Sequence, residues 1–431
     1  MSLQDEAQLT TIGSQLASPL EHPLRIYVAA NGLGMGHVVR CSTIASALIG
    51  RGADVLFSTY ADGLEFLRKT RFKFVSSVPI LYQVRADGSV DLRATSGRIG
   101  FSLGVNRFLH QLIKEIQSIK RYSPDVVLVD SRLSSLIAAR LLGKPAAVIL
   151  NQYRIHLLHN RAYPRRSLLD RLFILIARIG WTFLGVLLGE MWCLGNILII
   201  PDFPPPMTIA KLNLVIPLRH YHKLRFVGPL AEQSLRTTMS RESIRKDLGF
   251  EDKKPLIYAA ISGPRHERQP LVEMLVPLLM SMENDFHVIV SCGDPLGSTK
   301  PEHRGRILLY EWTNEQDRFL ESSDIVISRA GHTTILKSML WGRPMLLIPT
   351  PFQTEQLANA STARSLGFAL VLPQDELSSE TLKNSVNELL ENNSYVRSAR
   401  SISQEARRFD AVSECCTIVS SLALGRSGGA K

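Results

Sequence analysis

At 431 residues the chain exceeds what one core ordinarily fills, so two domains are expected. A hydrophobic content of 45% and a charged content of 21% place it among ordinary globular proteins. The formal net charge of +11 points to an anionic partner, a nucleotide or an anionic membrane face; nucleic acid is set aside because no basic tract is interleaved with aromatics and no zinc-finger spacing occurs.

Residues 1–23 are polar and mixed in charge, without the apolar core of a secretion signal, and read as a loose tail. Residues 24–30 (LRIYVAA) form a first strand, 37–51 a helix and 54–59 a second strand. Between the first two lies Asn31-Gly32-Leu33-Gly34-Met35-Gly36-His37, a turn that a ligand can approach closely. Its glycines at 32, 34 and 36 miss the G-x-G-x-x-G spacing of dinucleotide loops, which disfavours a Rossmann oxidoreductase. A strand at 125–130, a helix at 132–142 and a strand at 146–150 continue a doubly wound βαβ pattern. Asp130 ends its strand facing the same cleft as His37; orienting His37 and capping the next helix are both open to it.

Residues 154–206 break the pattern. The uncharged run 179–189 is shorter than the about 20 apolar residues that span a bilayer. Arg154, Arg161, Arg165 and Arg166 precede it, Trp181 lies within it and Trp192 follows it. These suit a helix lying in an anionic membrane interface; a buried helix or a dimer contact is the other reading, and the net charge favours a membrane-associating segment over 154–200. A strand at 224–229 closes a first domain, 24–230, and 231–254 reads as a linker with a short helix.

The second alternating series, 255–410, opens with a strand at 255–261 followed by Ser262-Gly263-Pro264-Arg265, and 411–431 forms a last helix and tail. Glu267 and Arg268 read as helix-start charges, and helices are expected at 379–392 and 395–424. The most informative stretch is 324–360, two successive strand-loop-helix units. Residues 324–328 (DIVIS) are a buried strand, Gly331 permits a tight turn, and His332-Thr333-Thr334 open a helix that stops at Gly342-Arg343-Pro344. A strand at 345–348 and a polar loop at 350–356 follow. Both loops leave the carboxyl ends of neighbouring parallel strands and so face one crevice. The first offers backbone N–H groups and hydroxyls to a diphosphate; the second offers Gln353, Glu355 and Gln356 to sugar hydroxyls. Together they suggest a nucleotide-sugar. The five cysteines, Cys41, Cys193, Cys292, Cys415 and Cys416, are odd in number and without metal-type spacing, which fits a reducing compartment.

This stretch resembles the donor-binding signature of the GT-B glycosyltransferases, in particular the MurG-like glycosyltransferase family 28 and the UDP-glucuronosyltransferases. The matching residues are Ala330-Gly331, Thr333-Thr334, Gly342-Arg343-Pro344 and Glu355-Gln356-Leu357-Ala358-Asn359-Ala360. At the position where these families carry a ribose-binding Glu, the chain has Lys337, which cannot accept those hydrogen bonds. The resemblance implies an α/β, GT-B fold of two Rossmann-like doubly wound domains facing a central cleft, with the last helix crossing back to the first domain. It assigns Gly34, Gly36 and His37 to the acceptor side, and Asp130 as partner of His37. It turns the loop of Ser262, Gly263 and Arg265 toward the donor diphosphate. Trp312 either flanks the nucleotide base or fills a core, and His332 either touches phosphate or caps the helix. The implied reaction is an inverting, metal-independent transfer without cofactor, with His37 as base or as ligand of acceptor phosphate. The donor is a UDP-sugar, UDP-N-acetylglucosamine first. The acceptor is a lipid-linked polyprenyl or dolichyl diphosphate sugar, as in bacterial lipid II synthesis or the extension of dolichyl-diphosphate-linked N-acetylglucosamine. The expected place is the inner face of the cell membrane, peripherally bound, with homo-oligomerisation open. Two rivals stand beside this: a nucleotide-sugar hydrolase or epimerase on the same fold, and a non-catalytic donor-binding or scaffold subunit.

Overall fold

The structure, a computed structural model, describes residues 23–33, 35–80, 98–153, 185–230, 240–250, 253–282 and 285–425, with only the backbone of 98–103. Gly34, the arginines of 154–166, Trp181 and both tails lie outside the described residues.

The first half is built on seven described strands: β1 Arg25–Ala30, β2 Asp54–Thr59, β3 Lys73–Ser76, β4 Val126–Asp130, β5 Ala146–Ile149, β6 Ile197–Ile200 and β7 Leu224–Phe226. They pair in the order β3-β2-β1-β4-β5-β6-β7, all parallel. Continuous apolar runs such as VVLVD and AAVI suit strands buried on both faces, and β4 and β5 are buried throughout. Helices α1 Gly36–Gly50 and α2 Ala61–Arg68 flank one face, α3 Arg98–Tyr122 and α4 Leu133–Leu141 the other. Strand β6 was not foreseen: it lies inside the stretch read as a membrane segment, where the sequence NILII adds a sixth strand to the parallel sheet.

The second half repeats the plan with β8 Leu256–Ala260, β9 His287–Ser291, β10 Glu302–Arg304, β11 Ile307–Tyr310, β12 Ile325–Ser328, β13 Met345–Leu347 and β14 Ala369–Val371. Their order is β10-β11-β9-β8-β12-β13-β14, and only the edge pair β10–β11 is antiparallel. A short helix, α5 Arg241–Asp247, precedes it, capped by the Ser240 hydroxyl on Ser243 N at 3.2 Å. Then come α6 Arg265–Met280, α7 Gln316–Ser322, α8 His332–Trp341, α9 Thr354–Ser365, α10 Ser379–Glu391, α11 Asn393–Ala406 and α12 Ala411–Ala423.

The expected single helix over 395–424 is two helices. The chain breaks at residues 407–410, where the Asp410 carboxylate caps α12 through Ser413 N at 3.1 Å. That break lets α12 leave the second half and pack Cys415, Cys416 and Val419 into the first core, beside Ile44 and Leu48 of α1.

Each sheet reverses its strand order beside its first strand, at β1/β4 and at β8/β12. These are the crevices where open α/β sheets hold ligands, and they position the site.

Candidate active site

The first crevice gathers charge. β1 and β4 run in register, Ala30 opposite Asp130, so the loop leaving β1 passes beside the carboxyl end of β4. His37 sits in the first turn of α1. Its Nδ1 lies 2.8 Å from Asp130 Oδ1, and the same carboxylate takes Arg40 Nε on Oδ2 and Arg40 Nη2 on Oδ1, both at 2.5 Å. A carboxylate only accepts, so in its bond to Asp130 the Nδ1 atom carries the proton and Nε2 is bare; Arg40 Nη2, itself a donor, stands 3.0 Å from the same Nδ1 and makes no bond to it in that tautomer. The Asp130 side chain is fully buried while His37 keeps 21% of its side-chain surface exposed. Burial alone would push the Asp130 carboxyl up; Arg40 first, then His37, outweigh it and hold that carboxyl well below the usual range. Of the two roles open to Asp130, the structure places it on His37: α4 has no side-chain cap.

Arg40 escaped the sequence reading. The available signal was its position three residues after His37, one turn on along the same helix face. Gly32 also has a different purpose from the one expected. A Cβ there would lie 1.9 Å from Tyr60 O, so this glycine lets the loop press on the chain after β2 and is not reserved for a ligand.

The second crevice works through backbone. The tight turn falls on Ala330, at φ +60, while Gly331 has an ordinary φ of −63. A Cβ on Gly331 would meet nothing nearer than Ser262 Oγ at 4.0 Å, so the two donor loops adjoin with open space between them. No side chain caps α8, which leaves its first N–H groups and the positive end of its dipole directed at that space. Gly263, at φ +122, makes the turn out of β8 that only glycine adopts readily. Thr334 is buried; Thr333 reaches across, its Oγ1 lying 3.5 Å from where a Cβ on Gly36 would stand. The start of α1, with His37, and the start of α8 therefore face each other.

The polar residues of the second loop are largely committed to shaping it. Gln353 caps α9 through Gln356 N at 2.7 Å, and Gln356 Oε1 accepts Thr350 N at 2.8 Å. Glu355 Oε1 accepts Asn151 Nδ2 at 2.5 Å, a bond between the two halves. Asn359 Nδ2 steadies the other loop through Ala330 O at 3.4 Å.

Three sequence expectations are corrected. Arg265 does not turn to the diphosphate loops: its Nε bonds Gln269 Oε1 at 3.3 Å along the exposed face of α6. Trp312 packs edge-on against Phe66 of α2, centroids 6.4 Å apart, and is an inter-half contact. His332 is buried and its Nε2 meets Asp202 Oδ2 at 2.9 Å, which ties α8 to the first half. Glu267 and Arg268 lie at the start of α6, as expected, and are both buried: Glu267 Oε2 contacts Thr350 and Gln356, and Arg268 pairs with Asp294 at 3.2 Å. Lys337, at the position of the usual ribose-binding Glu, pairs with Asp317 Oδ2 at 3.1 Å, and Trp341 Nε1 approaches Asp317 Oδ1 at 3.3 Å.

Residues 268–414 match the glycosyltransferase family 28 C-terminal domain. The chain is a GT-B glycosyltransferase with a family 28 C-terminal domain. This GT-B enzyme is 26% identical to a Methanosarcina mazei protein named as an uncharacterized glycosyltransferase, over 90% of this chain and 95% of that one. Over 34% of its length it is 32% identical to 43% of a Clostridium botulinum UDP-N-acetylglucosamine--N-acetylmuramyl-(pentapeptide) pyrophosphoryl-undecaprenol N-acetylglucosamine transferase. The Acinetobacter baumannii MurG structure shares its fold, with a TM-score of 0.56 at 16% identity, over 92% of this chain and 99% of that one.

Proposed function

We propose that this glycosyltransferase moves a sugar from a UDP-sugar, UDP-N-acetylglucosamine first, to a lipid-linked diphosphate acceptor, with inversion and without a metal. The observation that carries the reading is the opposition of His37, backed by Asp130, to the uncapped N-terminus of α8. His37 Nε2 takes the proton of the acceptor hydroxyl, whose oxygen attacks the anomeric carbon from the side opposite the nucleotide. The bond from that carbon to the diphosphate oxygen breaks, and the diphosphate leaves with the electron pair. The N–H groups that open α8 and the Thr333 hydroxyl meet the charge it gains.

A lipid acceptor is supported by the surface of α3, where Val105, Leu109 and Ile113 stand exposed one turn apart beside Arg107. Among the described residues no helix is long and apolar enough to cross a membrane; the place proposed for the enzyme, from the lipid acceptor, is peripheral attachment at the inner membrane face.

The test is UDP release from UDP-N-acetylglucosamine with and without short polyprenyl-diphosphate-sugar acceptors, in wild type and His37→Ala. Acceptor-dependent release lost in His37→Ala is the expected result. Release without acceptor would replace transfer by hydrolysis or epimerisation, and donor binding without any release would leave a non-catalytic subunit.

A further inference from the structure

Asp130 poses a problem that His37 alone does not solve. A carboxyl with no solvent exposure tends to take up a proton. Once protonated it would donate to His37 Nδ1, and the imidazole proton would move to Nε2, the atom that must be bare to act as base. The fork of Arg40 addresses this directly. It spans both oxygens of Asp130 and is itself only 3% exposed.

The other groups facing this cluster do not take its place. On α1, Cys41 Sγ stands 3.5 Å from Asp130 Oδ2, and burial pushes its thiol well up, so it stays neutral. From β1, Asn31 N bonds only the main-chain oxygen of Asp130 at 3.0 Å. Across the cleft, Glu355 acts on Arg40 but is held by Asn151. His332 and Lys337 line the same small cavity as Arg40, and each has its own carboxylate, Asp202 and Asp317.

We propose that Arg40 is a positioning residue of the transfer reaction: its guanidinium fork holds Asp130 as an anion and so fixes His37 in the tautomer whose Nε2 is bare. This rests on the reading of His37 as base and extends it to a residue that touches neither substrate. Lysine would be a partial substitute, since an ammonium meets one carboxylate oxygen where the fork meets two.

The experiment is 15N NMR of histidine-labelled protein, which reads the His37 tautomer without turnover, alongside the pH profile of UDP release. In neutral His37 of the wild type the proton is expected on Nδ1. In Arg40→Gln, checked for folding by circular dichroism, it shifts toward Nε2. The acid limb of the rate then moves up by about one pH unit or more as Asp130 titrates, and kcat falls about tenfold or more with the donor KM little changed. Arg40→Lys restores the tautomer and part of kcat. A folded Arg40→Gln with the wild-type tautomer and an unmoved limb overturns the proposal, and so does a wild-type proton on Nε2, which needs no variant. Absence of turnover with every donor would sink the transferase reading while leaving the tautomer result standing.

Discussion

The two crevices are built from similar sheets but do their work with different materials. In the first, the His37 ring and the oppositely charged Arg40 and Asp130 side chains meet at the end of β4. In the second, the turn at Ala330, the open flank of Gly331 and the uncapped start of α8 do the shaping, while the charged side chains nearby, Glu267, Arg329, Asp317 and Lys337, are buried or paired inward. The contrast follows from the chemistry proposed for each. Moving a proton requires a group that titrates, whereas receiving a leaving diphosphate requires fixed donors that are already oriented when the charge appears.

The sharpest way to break that contrast is His37→Ala. It should lower acceptor-dependent UDP release by about 10²- to 10⁴-fold, while calorimetric binding of UDP stays near wild type. An equal loss of both would mean that His37 belongs to the donor crevice as well. Asp130→Ala should come next. It leaves the Arg40 guanidinium buried without its partner, at a cost of about 3–5 kcal/mol in urea unfolding.

The sign with pH follows from the depressed Asp130 carboxyl. Its stabilisation is complete above the ordinary carboxylate range and is lost as pH falls through the lower, folded-state value. Wild type should therefore lose stability from about pH 4 downward, and Asp130→Ala should show a flatter acid slope. Gly32→Ala probes the backbone on the charged side: its Cβ would meet Tyr60 O at 1.9 Å, and a destabilisation of roughly 2–3 kcal/mol is expected by thermal unfolding. The smallest effect tests the donor turn. Ala330→Gly relieves a left-handed alanine and should stabilise by up to about 1 kcal/mol, with UDP affinity little changed.

Much of this was legible in the sequence where one residue's chemistry and its local pattern agreed. The run DVVLVD announced a buried parallel strand, and the glycine-rich turn ending in His37 announced a helix start at a crevice. The expected stop of α8 is also seen, with Gly342 at φ +64. What escaped depends on contacts distant in sequence. Arg40 looks like any helical arginine until Asp130, 90 residues on, is brought to its fork. Arg265 follows a donor loop in sequence, yet its helix turns the side chain outward to Gln269. Trp312 and His332 were weighed as ligand contacts because nothing local shows that Phe66 and Asp202 will meet them. Strand β6 was hidden in an apolar stretch, since a short apolar run does not by itself distinguish strand from buried helix.

The return of α12 carries a consequence for how the molecule is made. The first core is left with a vacancy along α1 until residues 411–423 arrive, and these follow the whole second half in the chain. The first half thus leaves the ribosome with Ile44 and Leu48 uncovered and waits through the whole second half before they are sealed. A chain interrupted before Ala411 would damage the half made first of the two, and the two halves separated from one another would not be two complete folding units.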